Sequence, residues 1–161
     1  MKKIIITLCL IIGSITFAQN TNIPPLKDIA IPPLKAKANI EDATAQFNLG
    51  VAYYLGKGVE QSYSKAVYWY RKAAEQGYAK AQLYLGAAYD NGEGVEQSHS
   101  QAVYWYKKAA EQGHAEAQYN LGVAYYYGGG VKKSKSQALY WLRKACNNQN
   151  NEACDLLNKI K

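Results

Sequence analysis

Two cysteines stand eight positions apart near the end of the chain, Cys146 and Cys154 in "ACNNQNNEAC", and the one other is Cys9. Thiols so placed can hold a metal, exchange electrons or form a bridge. Zinc would need two further ligands that are absent here, and redox catalysis normally uses closer spacing, so the pair is to be weighed as a structural disulfide. "SYSK" at 62–65 fits the Ser-x-x-Lys form of penicillin-interacting serine enzymes. The two histidines, His99 and His114, have the chemistry of a general base. The sequence fixes no nucleophile or carboxylate beside either of them. No catalytic residue, metal site or cofactor is expected.

The N-terminal "MKKIIITLCLIIGSITFAQN" has two lysines, an apolar run from Ile4 to Ile12 and small residues up to Ala18. This order matches a secretory signal peptide over 1–18, and the run is shorter than the ~20 residues a spanning anchor needs. Removal of the signal takes Cys9 with it. Cys146 and Cys154 then remain in an oxidising compartment, periplasmic or extracellular, where a disulfide persists.

Residues 19–130 carry ten basic and ten acidic side chains, whereas 131–161 carry seven basic and two acidic. The basic C-terminal end would suit an anionic envelope polymer, although a solvated charged terminus explains it more simply. Nucleic acid is not expected as a partner of an exported chain that has no recognition motif. Residues 19–40 hold "IPPLK" twice, and their two Pro-Pro pairs oppose regular helix, so the segment reads as an extended, semi-rigid linker.

From Ala43 the sequence repeats every 36 residues, and 43–78 matches 79–114 at 25 of 36 positions without a gap. A third unit covers 115–150, and 151–161 begin a fourth as a C-terminal capping helix. A period of this length indicates stacked helical hairpins. In the first unit Ala45, Leu49, Ala52 and Tyr53 share one face of a helix that ends at Gly56. A short turn follows, Ser62 caps a second helix, and Ala66, Trp69, Tyr70 and Ala73 form its buried face. Gly50, Gly86 and Gly122 recur inside the first helices, where glycine is unfavourable by up to ~1 kcal/mol. Their recurrence predicts close approach of two helices.

The motif A-x-A-Q-x-x-L-G-x-x-Y-x-x-G-x-G-V followed by A-x-x-W-x-x-K-A resembles the Sel1-like repeat, a relative of the tetratricopeptide repeat. The resemblance implies an all-α, right-handed α/α superhelical solenoid of helix-turn-helix units whose first helices line a concave face that binds proteins or peptides. Ser62, Ser98 and Ser134 stand where this family commonly has Asp, and serine caps as well. A secreted, cysteine-rich branch of the family bridges cysteines eight apart, and Cys146 and Cys154 match that pair once. Association of that branch with penicillin binding and weak β-lactam hydrolysis supplies an alternative function.

The repeat register supports the bridge independently. Cys146 takes the column of Ala74 and Ala110, and Cys154 that of Gln46, Gln82 and Gln118. These positions are the last turn of one helix and the first of the next, within reach of a disulfide. In the same register the groove-lining candidates are Phe47, Val51, Tyr54, Leu83, Ala87, Asp90, Asn91, Tyr119, Val123, Tyr126 and Tyr127. Tyr54, Asp90, Asn91, Tyr119, Tyr126 and Tyr127 carry the polar tips expected to orient a ligand. Ser62 is accounted for as a cap, and its counterparts "SHSQ" and "SKSQ" lose the lysine. His99 and His114 take the columns of Tyr63 and Tyr78, which suggests surface substitutions.

Overall fold

The computed structural model describes residues 42–160 together with Lys35 and Ala38. Seven helices run through 42–160: α1 Ala43–Leu55, α2 Tyr63–Glu75, α3 Ala79–Asn91, α4 His99–Glu111, α5 Ala115–Tyr127, α6 Lys135–Asn147 and α7 Asn151–Ile160. There is no strand among the described residues. Each helix packs on its neighbours in sequence, and the three hairpins with the lone α7 form a right-handed α/α superhelical solenoid.

Local chemistry sets the helix boundaries. The Asp42 carboxylate accepts from the N–H groups of Thr44 and Ala45 at the start of α1. Ser62, Ser98 and Ser134 accept from Lys65, Gln101 and Gln137 at 3.3, 3.4 and 3.3 Å, satisfying N–H groups that a helix start leaves open. The α1 helix stops where Gly56 turns left-handed at φ 66° and donates to the Ala52 carbonyl.

Within a hairpin, a Cβ on Gly50 would lie 2.6 Å from the Tyr70 ring and 3.2 Å from the Ala66 carbonyl oxygen. Gly86 faces Tyr106 and Ala102 in the same way. These glycines give up helix propensity so that the second helix can lie against the backbone of the first.

Between hairpins, rings and amides form the joint. Phe47 packs on Tyr70, Tyr78 and Tyr84 with centroids 5.7, 5.3 and 5.0 Å away. The buried polar residues among those described are Gln46, Gln82 and Gln118. Gln82 Nε2 donates to the Ala74 carbonyl at 3.1 Å, and Gln118 Nε2 to that of Ala110 at 3.0 Å. Their Oε1 atoms accept from Gln112 and Asn148 of their own repeats at 2.8 and 2.9 Å. Each glutamine therefore ties the ends of two consecutive second helices to one first helix, and its buried amide is satisfied through both oxygen and nitrogen.

The two ends vary this joint. Gln46 donates to the carbonyl of Ala38 at 3.0 Å, and Ala38 is helical and buried with Ala45 and Leu49. Lys35 and Ala38, both helical, thus depart from the extended chain expected for 19–40. Both Pro-Pro pairs precede Lys35, so their missing N–H groups interrupt nothing after it. The remainder of 19–40, like the expected signal peptide at 1–18, lies outside the described residues. At the other end Cys154 takes the glutamine column and is bonded to Cys146, with Cα atoms 4.8 Å apart. Asn158 takes the glycine column and is exposed.

Candidate binding face

The expected binding residues lie on α1, α3 and α5. The structure divides them. Phe47, Val51 and Leu83 are 1, 5 and 2% exposed and belong to the core, contrary to the expectation that they line a groove. The ring stack of Phe47 on Tyr70, Tyr78 and Tyr84 fills the space between the first two hairpins. Tyr54, Ala87, Asp90, Asn91, Tyr119, Val123 and Tyr126 are half-buried, and Tyr127 is exposed. Tyr119 packs against the Leu142, Ala145 and Leu157 cluster under α7.

In the first two repeats a slot joins the end of the first helix to the start of the second. Tyr54 stacks on Tyr63 at 5.2 Å, whereas Asp90 Oδ1 meets His99 Nδ1 at 2.6 Å in the next repeat. His99, expected as a lone surface substitution, therefore has a carboxylate partner from the candidate strip. In the third repeat Tyr126 stacks edge-on against Tyr127 at 4.9 Å, and Lys133 lies 5.8 Å from the Tyr126 ring centre. The glycines of the turns hold consecutive slots together: a Cβ on Gly94 would run into the Tyr63 and Ser64 backbone, and one on Gly130 into that of His99 and Ser100.

Acidic groups collect along this strip. Burial, followed by the charge and hydrogen bond of Glu93, pushes the Tyr54 hydroxyl up to about 12. Burial and then Glu116 push the Tyr84 hydroxyl up as well. The Glu116 carboxyl is itself raised, first by burial and then by Glu152. His114, expected at the surface, is half-buried, and burial with Lys80 lowers its pKa. The buried Tyr70 hydroxyl has no hydrogen-bond partner among the described residues.

The Ser-x-x-Lys stretch is built as a cap. The Ser62 hydroxyl pairs with Ser64 Oγ at 3.2 Å and accepts from the Lys65 N–H, while the Lys65 ammonium lies 5.5 Å from the Tyr53 ring centre. A hollow of about 420 Å³ is lined by Tyr89, Val95, Glu96, Gln97, Ser98 and Gln101. It contains none of the expected binding residues.

Family comparison agrees with the 36-residue joint. The Sel1 repeat model matches residues 43–78, 79–114 and 115–150. The chain belongs to the Sel1 repeat family. Sel1 repeats are in general scaffolds for protein–protein interaction. Among solved structures, the Sel1 repeat protein of Oxalobacter formigenes is 39% identical, with a TM-score of 0.75, 80% of this chain covered and 97% of the other. The c5321 protective antigen of uropathogenic Escherichia coli is 44% identical, with a TM-score of 0.76 over 78% of this chain, which spans only 27% of the antigen. Helicobacter pylori cysteine rich protein B is 27% identical, with a TM-score of 0.63 and 86 and 98% of the two chains covered. No curated protein matches.

For this Sel1 repeat protein the sequence reading missed the glutamine joints and the Asp90–His99 pair. The signal for the joints was present: an invariant, uncharged polar residue inside an apolar helix has to be hydrogen-bonded. Asp90 and His99 could have been found as the one repeat in which both columns change chemistry together, from Tyr54 and Tyr63.

Proposed function

We propose that this Sel1 repeat protein is an exported scaffold, periplasmic or secreted, that binds a protein or peptide segment along its first helices in the concave face of the superhelix. The observation that carries the reading is the half-buried strip of Asp90, Asn91, Tyr119 and Tyr126, with Tyr127 exposed beside it. Part-buried tyrosines beside carboxylates offer ring contact and charged hydrogen bonds together, and tyrosine is among the residues enriched at interface hot spots. Glu116 on α5 and Glu152 on α7 favour a segment carrying Lys or Arg. The Cys146–Cys154 disulfide suits an oxidising compartment, and no described helix is long and apolar enough to cross a membrane.

The test is a photo-crosslinker at Asn91 in the intact cell envelope, with a crosslinker at Lys107, exposed on the second helix α4, as the off-face control. A discrete adduct from Asn91, absent from Lys107 and lost on Tyr126→Ala or Asp90→Ala, is expected. Equal labelling from both positions, or an adduct indifferent to both substitutions, would overturn the assignment.

A further inference from the structure

The second helices carry an exposed pattern that neither the fold nor the concave strip uses. Charge separates between the two helix sets: α2, α4 and α6 carry eight basic and two acidic side chains, whereas α1, α3, α5 and α7 carry two basic and four acidic. On the basic side, Tyr68, Tyr104 and Tyr140 occupy one column and are 53, 50 and 47% exposed. One turn further on, Lys72, Lys108 and Lys144 place their ammonium groups 5.9, 5.5 and 4.8 Å from those ring centres. Each ring also meets the next tryptophan edge-on at 5.0 Å. The same Tyr, Trp and Lys unit thus stands three times along the solenoid.

Drift between the repeats makes this persistence informative. The third repeat differs from the first at 15 of 36 positions, and neighbouring exposed columns change freely, as in Tyr63, His99 and Lys135 or Lys65, Gln101 and Gln137. The exposed second-helix columns identical in all three are Ser64, Tyr68 and Lys72 with their counterparts. Ser64 is accounted for by its hydrogen bond to the cap serine. Lys72, Lys108 and Lys144 are the cations of the last turns, favoured there by the helix dipole and part of the A-x-x-W-x-x-K-A motif. Tyr68 and its counterparts have neither reason to persist, since they fall at an x position of that motif and an exposed side chain contributes little to stability.

We infer that the outer face of α2, α4 and α6 is a docking surface for a linear anionic polysaccharide. Three equal stations, each with one ring and one cation, fit a ligand that repeats: a sugar ring packs on the tyrosine and its acid group pairs with the lysine. A peptide has no reason to present the same group three times in register. The large exposed apolar side chains of these helices are tyrosines, Tyr63, Tyr68, Tyr104 and Tyr140. Among the described residues of α2, α4 and α6 no exposed Leu, Ile or Phe stands ready to enter a lipid bilayer. This surface does not depend on the concave strip, so either reading can fail alone.

The test is affinity electrophoresis of the full chain in polygalacturonate, with dextran, polyglutamate, duplex DNA and phosphatidylglycerol vesicles in parallel. Polygalacturonate should bind more tightly than all four. Lys72→Gln/Lys108→Gln/Lys144→Gln should weaken that binding at least tenfold and flatten its salt dependence. Tyr68→Ser/Tyr104→Ser/Tyr140→Ser should weaken it at least fivefold with the salt dependence unchanged. Circular dichroism checks the fold, and the Tyr104→Ser single variant, with a smaller loss in the same direction, stands in if the triple variant unfolds. Binding no tighter than dextran, tighter binding of any other probe, or tyrosine variants that bind like the wild type would each overturn the inference.

Discussion

Replacing Cys146 by Ala and Cys154 by Gln returns the last joint to the form used by the repeats before it. The bond closes a loop from 146 to 154, and in the chain-entropy account its loss costs about 2.5 kcal/mol. In the parent joints the glutamine amide spans the same eight residues, from Gln82 to the Ala74 carbonyl and from Gln118 to that of Ala110. One such net hydrogen bond contributes about 1 kcal/mol. The expected order of stability is therefore wild type, then Cys146→Ala/Cys154→Gln about 1.5 kcal/mol below it, then Cys146→Ala/Cys154→Ala about 2.5 kcal/mol below. Guanidinium unfolding gives the totals. Amide exchange should locate the loss in α7 and the end of α6, because a repeat array opens from its ends. If the Gln and Ala variants proved equally stable, the glutamine joints would have no energetic weight and the reasoning would fail. A loss below about 1 kcal/mol for the Ala variant would equally reject the clamp.

Gln149 is the one described non-glycine residue with positive φ, at 67°, in the column of Gly77 and Gly113; Gln149→Gly should stabilise the folded chain by about 1 kcal/mol in thermal melts. Gly86→Ala places a Cβ 2.6 Å from the buried Tyr106 ring and 3.3 Å from the Ala102 carbonyl oxygen. Overpacking of about 1 to 3 kcal/mol should outweigh the gain of up to ~1 kcal/mol in propensity, so denaturant melts should show a net loss. The folded-state pKa of His114 lies below its ordinary 6.5, so the native state binds fewer protons than the unfolded chain and stability falls as pH drops below 6.5. His114→Tyr, the residue of the Tyr78 column, should remove that part of the acid loss in melts run from pH 7 to 5.

The solenoid was legible because its signals are redundant. Gly50, Gly86 and Gly122 pointed to close helix contact, the three serines marked helix starts, and the register brought Cys146 to Cys154. The binding strip was only partly legible. Phe47 and Val51 share a helix face with Tyr54, as Leu83 does with Asp90, and their burial depends on neighbouring rings such as Tyr84 that pattern alone does not place. Column position gives the side of the helix; the bulk of the next hairpin decides whether that side is open. Ala38 escaped notice because the prolines before it dominate the reading of its segment.

Asn158 has a consequence for how such a chain can change length. It stands where Gly50, Gly86 and Gly122 admit a second helix, whereas the boundary between 78 and 79 has a complete glutamine joint. A hairpin inserted there would meet the same joint on both sides, and 43–78 and 79–114 are alike at 25 of 36 positions, as an internal copy would be.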